Sequence, residues 1–157
     1  MSLDQALVDL GYGGADPNAG ETLLSILRRI EPHPEVPAAL EGLRFRYCIA
    51  IISNTDDDLI AGTVAGIGVP IGFVITARQA QAYKPDHRLF VHAQAAMGVT
   101  KDETIHVGMG QFTDLKVCHE LGIRSVWIDR AGEAPNPDWP PHGVLNDLSK
   151  LPELLFS

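Results

Sequence analysis

From residue 35 onward the chain alternates between two hydrophobic rhythms. Short apolar runs (FRYCIAIIS, IGFVIT, ETIHVGM and IRSVWIDR) have the length and composition of strands. Between them lie stretches that read as helices: EVPAALEGL, TDDDLIAGTVAGIG, DHRLFVHAQAAMG and GQFTDLKVCHELG. The second is expected to start at Asn54 or Thr55 as its cap, with Asp56–Asp58 in the first turn, where the helix dipole favours anions. Gly98 and Gly122 read as helix stops. AGEAPNPDWPPHG reads as a proline-rich surface loop and NDLSKLPELL as a closing helix. Ahead of this region, residues 1–31 look helical in two pieces split by GYGGADPNAG. Leu3, Leu7 and Leu10 form one apolar face, Leu23, Leu24, Leu27 and Ile30 the other, and Pro32 and Pro34 end the segment.

Strands alternating with helices imply βαβ units, and right-handed crossovers then give a mostly parallel sheet with helices on both faces. The expected fold is therefore a Rossmann-like, three-layer α/β/α domain. Polar residues come after four of the strands: Ser53-Asn54, Thr76, Gly108 through Asp114, and Asp129-Arg130. Parallel strands aim their carboxyl ends at one rim, which is where open α/β folds bind ligands.

Three positions on that rim carry candidate chemistry. Ser53 and Asn54 offer a hydroxyl, an amide and free N–H groups at a helix start, which suits an anionic oxygen but equally suits plain helix capping. Lys84 precedes Pro85, which restrains it, so its ammonium can neutralise a ligand anion or a carboxylate; the bland reading is a solvated loop lysine. Asp114 comes after the permissive turn GMG and either orients Lys84 by a charge-assisted hydrogen bond or merely favours a helix N-terminus. The histidines, His106 among them, lack metal-ligand spacing. No strand-linked GxGxxG, GxxxxGK[ST] or GxSxG occurs, which removes the dinucleotide, P-loop and serine-hydrolase readings.

Composition narrows the partners. The chain has 157 residues, enough for one domain, and a formal charge of -8 with its basic residues scattered, so no nucleic-acid partner is expected. No apolar run approaches the ~20 residues that span a bilayer, so no membrane is expected and a cytoplasmic location is the default. Cys48 and Cys118 sit in apolar segments without CxxC spacing and read as buried, reduced thiols.

Three ordered segments, IAIISNTDDD, QAYKPDHRLF and HVGMGQFTDLKVCHELGIRSVWIDR, together resemble the haloacid dehalogenase superfamily, in its haloacid-dehalogenase-like branch. The resemblance covers roughly residues 20 to 155. It implies that Ser53 holds the substrate anion with Asn54 beside it, that Lys84 steadies a nucleophilic carboxylate, and that Asp114 is the last acidic residue of the fourth motif. Magnesium-dependent phosphatases of the superfamily have an aspartate directly after the VG pair; Met109 stands there, so no cofactor is expected, and magnesium only in a phosphatase-like member.

A second departure lies at the other end. The superfamily's nucleophile is an aspartate in a DxDxT or DxxGT-like segment after the first strand, followed by a helical cap. No such strand precedes residue 35, and Asp4, Asp9 and Asp16 have no apolar strand before them. Residues 1–31 then look like a helical cap remnant and residues 32–157 like a core domain missing its first strand. The expected function is hydrolysis of a small anionic molecule, a 2-haloacid foremost, through an aspartyl ester in the complete protein. The alternatives are a phosphatase of the same superfamily and a truncated, inactive binding or structural homologue. A homodimer or a partner chain would cover the missing strand.

Overall fold

The computed structural model describes residues 19–156; residues 1–18, with the expected Leu3/Leu7/Leu10 face, lie outside them. In chain order the helices are α1 (Ala19–Leu27), α2 (Val36–Leu43), α3 (Asp57–Ile67), α4 (Ala77–Ala80), α5 (His87–Met97), α6 (Lys116–Leu121) and α7 (Leu151–Phe156). The strands are β1 (Ala50–Ser53), β2 (Phe73–Thr76), β3 (Ile105–Gly108), β4 (Arg124–Ile128) and β5 (Gly143–Leu145). A 3-10 turn over Lys101–Glu103 precedes β3, and a π-helical turn over Gln111–Leu115 runs into α6.

Every strand pairing is parallel, as the βαβ pattern predicts. The strands form two sheets, β1–β2 and β3–β4–β5. Among the described residues β4 alone is paired on both sides. Helices cover both faces. On one, Leu43 of α2 and Leu151 of α7 pack on Val126 and Ile128, with Ile105 and Val107 alongside. On the other, Phe90 of α5 joins Val117 and Cys118 of α6 and Ile123, while Leu89 and Ala93 of α5 cover Ile75. Ile52 packs against both of these α5-centred clusters, so one β1 side chain serves the layer that spans the two sheets. The C-terminal end of α1 lies hard against α3: a Cβ at Gly62 would run into the carbonyl oxygen of Arg28, and Arg28 approaches Asp58 to 3.7 Å.

Several local expectations are corrected. The run FRYCIAIIS yields a strand only from Ala50; Phe45 is exposed and Cys48 is exposed rather than buried, whereas Cys118 is fully buried. Asp56, not Asn54 or Thr55, takes the N-cap position of helix α3, without a side-chain capping hydrogen bond, and Asn54 is engaged elsewhere. The segment after Gly110 opens as a π turn instead of a regular helix. Strand β5 and helix α4 add to the expected elements, and α7 begins only at Leu151. Among the described residues no helix is long and apolar enough to cross a membrane.

Candidate functional site

Strands β1, β2 and β3 end at Ser53, Thr76 and Gly108, and the residues just beyond these ends build the rim. The link from β1 is Asn54. Its amide nitrogen donates to the Lys84 carbonyl oxygen at 3.1 Å, and its amide oxygen accepts from the Lys84 N–H at 2.6 Å. One side-chain amide thus satisfies both backbone groups of the lysine and fixes where its side chain starts. The Lys84–Pro85 peptide is cis, and Asp86 caps α5 immediately afterwards by accepting from the Arg88 N–H.

The ammonium of Lys84 donates to Asp114 Oδ1 at 2.8 Å, with the lysine side chain 14% exposed. Asp114 sits in the π turn, where its own N–H and that of Leu115 both reach the Gly110 carbonyl, at 2.8 and 3.2 Å. Such a widened turn rotates one residue out of helical register and recurs at functional sites. Here it lays the Asp114 carboxylate against the end of β3. Gly108 is required for that approach, since a Cβ there would meet Asp114 Cγ at 2.7 Å. His106 brings its Nε2 to 3.0 Å from the same Oδ1, while Oδ2 accepts from the Gly110 N–H at 3.0 Å and from the Thr113 hydroxyl at 3.3 Å.

At 6% exposure Asp114 is the one buried charged residue among the described residues. Burial alone would raise its carboxyl pKa, but the His106 hydrogen bond and the nearby charge and hydrogen bond of Lys84 outweigh it and hold the group well below the usual carboxylate range. Cys118, behind the pair, responds oppositely: burial, then the Asp114 charge, push its thiol up to about 12, so it is inert packing.

The rest of the rim is structural. Thr76 donates to Asp57 at 2.8 Å, and Gln79 donates to the same carboxylate oxygen at 2.7 Å, which commits Asp57 to joining α3 to the end of β2. Asp129 accepts the N–H groups of Gly132 and Glu133 and so shapes the loop after β4. Arg130 is held by Glu35 at the start of α2. Ser53 closes β1 opposite Thr76, half-buried, and its hydroxyl has no hydrogen-bond partner among the described residues. Of the four expected site residues, the structure thus ties Asn54, Lys84 and Asp114 directly together and leaves Ser53 adjacent to Asn54 in sequence without a bond to the others. His106, which lacks metal-ligand spacing in the sequence, is the fourth member of the connected cluster. Its signal lies in strand alternation, which puts His106 and Gly108 on one face.

The donor set does not suit a hard divalent cation. Both Asp114 oxygens are already taken by four protein donors. The Met109 side chain is 55% exposed and supplies a thioether where a carboxylate oxygen would be needed, while its carbonyl accepts from the buried Trp127 indole at 2.9 Å. No group of three His, Cys, Asp or Glu able to hold a metal occurs among the described residues.

Parallel sheets covered by helices, with a mostly buried lysine–aspartate pair at their carboxyl rim, define a Rossmann-like domain with a candidate site at the strand ends. The chain belongs to the haloacid dehalogenase-like hydrolase family, whose pattern matches residues 20–128. It is 30% identical over 145 residues to a phosphoserine phosphatase from Thermus thermophilus, covering 88% of this chain and 58% of that protein. It is also 30% identical over 132 residues to an (S)-2-haloacid dehalogenase from a Pseudomonas species, covering 79% of this chain and 56% of that one. Among solved structures, a dehalogenase with an intermediate complex superposes with a TM-score of 0.85 at 26% identity, over 96% of this chain and 70% of the other. The chain thus spans a little over half the length of the curated relatives it matches.

Proposed function

We propose that the chain forms the anion-binding and lysine-bearing part of a hydrolase acting on a small anionic substrate, a 2-haloacid foremost. The nucleophilic carboxylate in this reading lies on a strand between β1 and β3, outside the described residues. That carboxylate displaces halide from carbon and forms an ester; water then attacks the ester carbonyl and regenerates the carboxylate. Ser53 and Asn54 receive the substrate carboxylate, Lys84 stabilises the nucleophile and the developing charge, and Asp114 holds Lys84 in place. The observation that carries the reading is the Lys84–Asp114 pair, 2.8 Å apart and mostly buried at the rim, together with β1 and β3, each of which has an unpaired edge among the described residues. The Ser53 hydroxyl, without a partner among the described residues, agrees with it.

The phosphoserine phosphatase relative favours a second reading, phosphate-ester hydrolysis. Met109 counts against it, since that chemistry in this superfamily calls for a metal-binding aspartate at the position. The test measures halide release from 2-chloropropionate and phosphate release from a generic phosphomonoester, with and without magnesium. Both are run on the 157-residue chain alone and with an added peptide of extended apolar sequence ending in a DxxGT-like segment. The chain alone is expected at background, with halide release appearing on addition of the peptide and vanishing in Lys84→Ala. Halide release by the chain alone, abolished by Lys84→Ala, would place the nucleophile within the 157 residues and overturn the expectation that a further segment supplies it. Magnesium-dependent phosphate release would favour the second reading.

A further inference from the structure

The Asp114 carboxylate is shared between two cation-capable donors on one oxygen. Lys84 Nζ lies 2.8 Å and His106 Nε2 3.0 Å from Oδ1, and Oδ2 is filled separately by Gly110 and Thr113. An ammonium has three donors, and this is the one bond Lys84 Nζ makes among the described residues, so two N–H groups remain for a ligand. The His106 side chain is 13% exposed and its ring stands edge-on to the buried Phe90, with centroids 5.1 Å apart. Phe90 also lies under Lys84, whose Nζ is 6.0 Å from the ring centroid. One aromatic ring therefore lies near both donors.

We propose that His106 is a positioning residue that sets how much of the Lys84 charge remains available to a bound anion. By donating to Oδ1, the histidine draws part of the aspartate's charge away from the ammonium. Without that donor Asp114 would pair more fully with Lys84 and leave it a poorer anion partner. Asp114 accepts only when the His106 Nε2 carries hydrogen, so the carboxylate also fixes that tautomer if the ring is neutral. The other groups facing the carboxylate are the Gly110 N–H, the Thr113 hydroxyl and the Cys118 thiol, and none of them is a charged donor. The inference rests on the reading of Lys84 as the ligand-facing cation.

Two variants separate donor from shape: His106→Phe keeps a ring against Phe90 and removes the donor, and His106→Gln removes the ring and keeps an N–H donor. Two readouts apply to the purified chain, the carboxyl 13C signal of Asp114 against pH and the affinity for 2-chloropropionate. In His106→Phe the Asp114 titration is expected to move up toward the ordinary carboxylate value of about 4, with anion binding weakened about fivefold, as for loss of one net hydrogen bond. In His106→Gln both are expected to stay near wild type. An unmoved Asp114 titration in His106→Phe, or one raised as far in His106→Gln, would overturn the role. Should His106→Phe not fold, the glutamine variant decides alone: a wild-type-like titration and affinity support the donor role, and loss of either overturns it. A wild-type chain that fails to bind 2-chloropropionate counts against the haloacid reading, while the Asp114 titration still decides the role of His106.

Discussion

Strands β4 and β1 are both apolar, yet they live in different surroundings. β4 runs between β3 and β5, and its residues from Ser125 to Ile128 are buried. Among the described residues β1 has a partner on one side only, and all four of its residues, two isoleucines included, are half-exposed. β3, likewise paired on one side among the described residues, shows the same half-exposure throughout. Burial in β1, β3 and β4 tracks the number of strand neighbours, whereas β2, with β1 as its one partner among the described residues, buries Ile75 and Thr76 at its carboxyl end. Exposed edge groups and half-covered isoleucines are what a sheet manages by pairing or covering.

The contrast can be broken most forcefully in β4. Trp127→Ala removes a buried ring and its indole bond to the Met109 carbonyl, and is expected to cost about 3–5 kcal/mol. Ile51→Ala on β1 is expected to cost only about 1 kcal/mol, because that side chain is only partly buried. Urea midpoints at constant slope measure both, and equal losses would show that β1 is as well packed as β4.

The rim pair comes next. Asp114→Asn removes the negative partner of a mostly buried ammonium and is expected to cost about 3 kcal/mol near neutral pH. The sign of the pH dependence comes from the lowered carboxyl pKa. A depressed folded value contributes stability that is complete above the unfolded value of about 4 and is lost as pH falls toward the folded value. The wild-type midpoint should therefore drop below about pH 4, and the Asn variant should show a shallower acid slope. An identical slope in both would remove Asp114 as its source.

The smallest effect belongs to the exposed Arg44–Glu41 pair at the end of α2, where one guanidinium nitrogen donates to both carboxylate oxygens at 2.9 and 3.0 Å. Arg44→Ala is expected to change stability by less than about 0.5 kcal/mol, measured by the same denaturation, since solvent screens the pair.

Much of this is legible in the chain. Helix α5 is bracketed by Asp86 and Gly98, and β2 and β4 by their apolar runs, because caps and periodicity are local signals. The Lys84–Asp114 contact is readable as one of two options, and burial decides between them. The signals that escape are non-local. Asn54 looks like a helix cap until Lys84, thirty positions away in sequence, is seen to occupy both ends of its amide. His106 looks ordinary because its partner lies in a turn whose π geometry no apolar pattern encodes. Cys48 reads as buried from its apolar run, yet it is exposed, because strand β1 starts only at Ala50.

The Asn54 amide also has a bearing on how the protein ages. Deamidation at this position would leave a carboxylate that still accepts the Lys84 N–H. It would lose the donation to the Lys84 carbonyl and set two oxygens against each other where a hydrogen bond had been. The damage would fall on the backbone that carries the lysine rather than on the lysine itself. A preparation stored long enough to deamidate would keep its Lys84 ammonium and gain one negative charge while losing the fixed point from which that side chain is aimed at Asp114.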